Sequence, residues 1–149
     1  MIQSSTHNII RFVVLFFAFA ANSSWGFQSP DSSQAKEKEL LAVLRSDTQP
    51  AEKAVACKGL AIYGSDAAVP DLAKLLKDPQ LSSWARIALE AIPGEASNKA
   101  LRDATDSLEG RLLVGVINSI GVRRDEKAVE SLIAKLKNSD DEVASAAAV

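Results

Sequence analysis

Residues 81–94 read LSSWARIALEAIPG. The stretch holds Trp84, then Arg86 and Glu90, and closes on Pro93 and Gly94. It is either a site built around an aromatic ring or one packed helix of a repeating scaffold, and the rest of the chain decides between them. VACKGLAIYG (55–64) and LLVGVINSIG (112–121) share its outline, and VASAAAV (143–149) opens the same pattern. The first apolar position falls on Val55, Trp84, Leu112 and Val143 at a nearly constant interval. The last apolar position before the breaker is Tyr63, Ile92 and Ile120. A helical unit recurring about every 30 residues marks an α-solenoid, in which stacked neighbours bury what one helical pair cannot. In this frame Trp84 fills a core slot, and Arg86 and Glu90 are what remains to meet a partner.

Between these helices lie others of the same period. Val69, Leu72, Ala73 and Leu76 stand at i, i+3, i+4 and i+7, the apolar stripe of a helix, and Val129, Leu132, Ile133 and Leu136 repeat it two units further on. Leu101, Ala104, Thr105 and Leu108 form a weaker copy, and Leu40, Val43 and Leu44 open the series. No stretch alternates with period two. The expected class is therefore all-α, in units 35–64, 65–94, 95–121 and 122–149, the last incomplete where Val149 falls in mid-helix. That ending reads as a fragment of a longer array or as an end that meets a partner. Gly64, Gly94 and Gly121 suit the left-handed position past a helix end, and Asp66, Ser97 and Asp125 suit N-caps. Ser139 and Glu142 have capping-box spacing. The expected core comprises Leu72, Leu76, Trp84, Ile87, Leu112, Val116, Ile120, Leu132 and Leu136, among close-packing alanines and glycines. Burial of each large side chain stabilises by about 1.5–3 kcal/mol.

The start of the chain is different in kind. FVVLFFAFAA (12–21) is free of charge, Arg11 stands before it, and small and polar residues follow. This is the layout of a secretory signal peptide, too short to span a bilayer as a helix. Cleavage after Ala20 or after Gly26 fits, and the second leaves a polar c-region, giving a leader over residues 1–26. Export to the periplasm or the exterior is expected, with an uncleaved membrane anchor as the alternative. FQSPDSSQ (27–34) reads as a flexible linker.

Removal of the leader takes away His7, the one histidine, and leaves Cys57 as the lone cysteine. No Ser-His or Cys-His pair remains, and no imidazole or multi-cysteine metal site. Phosphate-cradling glycine motifs and CxxCH are absent as well. Sixteen basic side chains face 19 acidic ones once Arg11 is gone, so there is no basic footprint for nucleic acid. The carboxylate groups at 103/106, 125/126 and 140–142 sit at helix starts or on polar faces, where they complement the helix dipole. No cofactor, metal or catalytic residue is expected.

AAVPDLAKLLKDPQLSSWARIALEAIPG (67–94) and KAVESLIAKLKNSDDEVASAAAV (127–149) resemble HEAT repeats of the short, phycobilisome-lyase-like kind. In that pattern an AVxxLxxLLxD helix precedes a VRxxAAxALG helix. SWARIALEAIPG with LLVGVINSIGVRRD is also similar to secreted HEAT-repeat proteins of the planctomycete type. The resemblance covers about residues 35–149 and departs from the pattern at Trp84, at Ala85 and in the polar first helix of the third unit. It implies a right-handed α-α superhelix, armadillo-like, whose second helices line a binding face. The expected function is non-catalytic binding of a protein or peptide, with Arg86, Glu90, Arg111, Asn118, Arg123 and Arg124 as the candidate face. Arg123 and Arg124 lie in a turn where guanidinium groups would grip carboxylates, whereas Arg86 and Glu90, four apart, have the spacing to pair with each other. Two alternatives stay open: an accessory repeat region of a larger secreted enzyme or haem protein, and chromophore attachment of the phycobilin-lyase kind.

Overall fold

The structure is a computed structural model, and it describes residues 30–149. The leader expected over 1–26 lies outside the described residues. Within them every regular element is helical: α1 (Pro30–Arg45), α2 (Pro50–Tyr63), α3 (Val69–Leu75), α4 (Ser82–Ala91), α5 (Glu95–Ala104), α6 (Gly110–Arg123), α7 (Val129–Lys135) and α8 (Asp141–Ala147). Short 3-10 turns at Asp66–Ala68 and Glu126–Ala128 lead into α3 and α7.

Helix α1 begins at Pro30, inside the stretch expected to be a linker. Proline has no N–H to lose at a first helical position, and Asp31 places negative charge in the first turn, so PDSSQ starts a helix. The caps differ from expectation in several places. Ser65, one residue before Asp66, caps the turn into α3, its hydroxyl oxygen accepting from the Ala67 N–H at 3.3 Å. Ser97 lies inside α5 and is fully buried. Asp140 caps α8 in place of Ser139, accepting from the N–H groups of Glu142 and Val143. Asp125 caps as expected, accepting from the Lys127 N–H at 3.2 Å.

Of the three glycines expected to be left-handed, only Gly94 has positive φ, at 100°. Gly64 is extended and Gly121 is still helical, so α6 runs on to Arg123 and closes on Arg124 at φ 51°. A side chain in that region is unusual, because its Cβ crowds the backbone.

Each first helix packs on its own second helix, and the second helices pack in succession, α2 on α4, α4 on α6 and α6 on α8. Helix α3 packs on α1 and on α5. One continuous core runs through these contacts, with Leu60, Leu72, Leu76, Leu89, Ile92, Leu101, Val116 and Ile120 all but inaccessible.

The buried register of the second helices is shifted from the expected one in the first three units. Val55 is 67% exposed, whereas Cys57, Ala85 and Leu113 are buried, together with Val143 as expected in the fourth unit. Each residue turns a helix by about 100°. A one-residue slip therefore moves Trp84 and Leu112 from the middle of the core to its edge, where both are partly buried. Trp84 packs there with the Lys58 ammonium 5.4 Å from its ring centroid, close enough for a cation–π attraction. Leu72, Leu76, Val116 and Ile120 are core residues, and Leu132 packs against the core from its border. Ile87 and Leu136 are not core, each being 45% exposed. Ile87 points roughly half a turn away from Ala85. Leu136 matches the buried Leu76, but no described helix follows α8 to cover α7 as α5 covers α3.

Candidate functional site

Arg86 and Glu90 lie one turn apart on α4 and turn towards α6 rather than to solvent. Arg86 Nη1 donates to the Gly115 carbonyl at 3.0 Å and to Ser119 Oγ at 3.1 Å. The Ser119 hydroxyl donates in turn to Glu90 Oε1 at 2.6 Å. The two charged ends are 3.9 Å apart, so buried Ser119 mediates the pair as much as direct contact does. Gly115 is what makes room: a Cβ there would stand 2.8 Å from Arg86 Nε and 2.9 Å from Cζ. Arg86 Nε is itself buried with no hydrogen-bond partner among the described residues.

Arg123, expected in an exposed turn, is in the last turn of α6 and is partly buried. Its guanidinium closes the end of α4. Nη1 donates to the carbonyls of Leu89 (2.7 Å), Glu90 (3.0 Å) and Ile92 (2.7 Å), and Nη2 to that of Gly94 (2.9 Å). Nε donates to Asn98 Oδ1. The last carbonyls of a helix have no partner within it and carry its negative dipole end, so a planar cation with five donors both satisfies and neutralises them. Its donors are therefore committed within the fold.

The same kind of link recurs along the chain. Glu37 accepts from the Ser65 N–H at 2.6 Å and hydroxyl at 2.8 Å. Arg45 and Lys74 flank Asp71 at 2.7 and 3.0 Å. Burial opposes ionisation of Asp71, but hydrogen bonds and charge from Arg45 and Lys74 outweigh it and hold the carboxyl below its ordinary value. Arg102 donates to Asp125 and to Glu95, and Lys127 reaches Glu95 at 3.2 Å. Hydrogen bonds from Arg102 and then Lys127 lower the Glu95 carboxyl, and the bond Arg102 donates to Glu95 raises Arg102. Lys135 donates to the Thr105 carbonyl at 2.9 Å. Most of these partners lie 23 to 34 residues apart in sequence. Sequence reading missed them because neither partner marks the other. The available signal was the recurrence of polar residues one repeat length apart.

Three of the six candidate residues are left for a partner. Arg111, Asn118 and Arg124 are exposed, and none makes a side-chain hydrogen bond or ion pair among the described residues. Arg111, Asn118 and Val122 (66% exposed) lie on the solvent side of α6, and Ile87 on α4 is 45% exposed. Cys57 is fully buried on α2, and that burial pushes its thiol up to about 11. It is protonated and shielded at neutral pH, which removes its nucleophilic form.

Among the described residues no three His, Cys, Asp or Glu side chains gather into a metal-binding group, and no helix is long and apolar enough to cross a membrane. No protein-family model matches the chain, and no curated protein matches it.

Proposed function

We propose that this chain is a non-catalytic, exported scaffold of HEAT type, its helical pairs wound into a right-handed superhelix. It binds a protein or peptide segment on the solvent side of its second helices. The observation that carries this reading is the division among the arginines. Arg86 and Arg123 are spent on linking one helical pair to the next, while Arg111 and Arg124 are unpaired and exposed, as are the apolar side chains Ile87 and Val122. Unpaired guanidinium groups together with exposed apolar side chains suit a segment that carries both acidic and apolar residues. The near-constant interval between second helices supports the repeat reading, and the charge-free run at 12–21 behind Arg11 supports export.

A displayed library of random peptides, selected against the protein, tests this. We expect enrichment of acidic-apolar sequences whose affinity falls at least tenfold in Arg111→Glu/Arg124→Glu and in Ile87→Asp. A tenfold loss corresponds to about 1.4 kcal/mol, within the range of one charge-assisted contact. Failure to enrich any sequence, or binding that ignores these substitutions, overturns the proposal.

A further inference from the structure

Two of the junctions between successive first helices are bridged by a polar side chain of the later helix. Asp71 on α3 reaches back to Arg45 of α1 at 2.7 Å, and Lys135 on α7 reaches back to the Thr105 carbonyl at the end of α5 at 2.9 Å. Relative to the leucines that match along the stripes, Leu72, Leu101 and Leu132, Asp71 stands one residue before and Lys135 three after. In α5 those two positions are Ala100 and Ala104. No side-chain hydrogen bond or ion pair crosses from α3 to α5 among the described residues. The junction holds instead an open slot of about 460 Å³, lined by the buried Val69 and Leu76 and the partly buried Ala96, Ala100 and Ala104. The exposed Lys77 and Lys99 also line it. Lys99 is paired with Asp103 at 2.6 Å, whereas Lys77 makes no hydrogen bond or ion pair among the described residues.

We propose that this slot holds a single-chain amphiphilic carboxylate, a fatty acid of medium length, with its tail along the alanines and its head on Lys77. The volume lies within the range of about 300–1,000 Å³ common to small-molecule clefts. Helices in contact lie about 8–10 Å apart, whereas a helix with its side chains is about 10–12 Å across. Because α3 packs directly on α5, the slot between them takes an extended chain and not a third helix. An alkyl tail removes the apolar walls from water. The rim carries two ammonium groups against the single carboxylate of Asp103, and this excess selects an anionic head. None of these residues belongs to the face assigned to partner binding, so either proposal can fail without the other.

Titration of the isotope-labelled full chain with octanoate, followed through its amide NMR shifts, tests it. One saturable site is expected, with a Kd on the order of 1 mM, as suits a ligand of so few atoms. The shifts should concentrate over residues 69–77 and 96–108. Ala100→Leu fills the slot and should weaken binding at least tenfold. If leucine disturbs the helix, the milder Ala100→Val repeats the comparison and should weaken binding at least threefold. Lys77→Glu should weaken octanoate at least fivefold and leave octanol unchanged, because only octanoate carries charge. Octyltrimethylammonium, with the same tail and the opposite head, should bind at least fivefold more weakly than octanoate. No saturable site, shifts centred elsewhere, binding indifferent to the substitutions at Ala100, a Lys77→Glu effect equal for octanoate and octanol, or equal binding of the two charged heads overturns the proposal.

Discussion

Substituting Gly115 by alanine should have opposite signs in two backgrounds. In a helix interior the change ordinarily stabilises by about 0.5–1 kcal/mol, because glycine loses more backbone freedom on folding. Here the new methyl would meet Arg86 Nε at 2.8 Å and Cζ at 2.9 Å. A comfortable separation is about 3.6 Å, so the guanidinium must retreat by about 0.8 Å. It has no slack for this, being held at 3.0 Å to the Gly115 carbonyl and 3.1 Å to Ser119 Oγ. Hydrogen bonds from a charged donor contribute about 1.5–3 kcal/mol each. The Arg86 side chain is 23% exposed, so water replaces part of what is lost. Set against the gain in helix propensity, Gly115→Ala should destabilise by a net of about 1–2 kcal/mol. In an Arg86→Ala background the obstacle is gone, and the same change should stabilise by about 0.5–1 kcal/mol. Urea unfolding of the four proteins, followed by circular dichroism, gives a double-mutant cycle with an expected coupling of about 1.5–3 kcal/mol. If Gly115→Ala stabilises the wild-type chain, or shifts both backgrounds equally, Arg86 is not the reason this position lacks a side chain.

Arg123→Met keeps the aliphatic stem but strips the end of α4 of its donors, and should lower stability by about 2–4 kcal/mol, read from the urea midpoint. Arg123→Lys should recover only a fraction, since one ammonium cannot serve five acceptors spread around a planar fork; full recovery would mean that charge alone matters. The Asp71 carboxyl is held below its ordinary value of 3.8, so its share of stability is present above about pH 4 and is lost as pH falls through the lower folded-state value. Asp71→Asn should therefore destabilise at pH 6 and flatten the loss between pH 4 and pH 2, whereas parallel stability profiles for the two proteins would refute a linked role.

The helical class was legible because its signals are local. The stripes at 69–76 and 129–136 and the cap at Asp125 each rest on residues within a turn or two of one another. The rotation of the second helices was not. AVACKGLA and LLVGVINS are apolar or small almost all round, so several adjacent registers bury comparable surface on paper. Only packing against the neighbouring helix selects Ala85 and Leu113 over the positions beside them, and Ala56 and Cys57 over Val55. Trp84 shows the consequence: its size suggests a core plug, yet it sits at the border with Lys58 against its ring.

Of the candidate face, sequence could single out the charged positions but not say which were free. Arg86, Arg123 and Arg124 look alike as residues, all arginines on or beside an apolar helix. Whether each is spent or available depends on what lies one repeat away: Gly115 and Ser119 for Arg86, the end of α4 for Arg123, and nothing among the described residues for Arg124. Period and polarity along the chain decide that helices form, because those forces act over a few residues. Which face is buried, which charges are consumed and which surfaces stay open are settled by contacts between segments a full repeat apart, and those exist only once the helices have stacked.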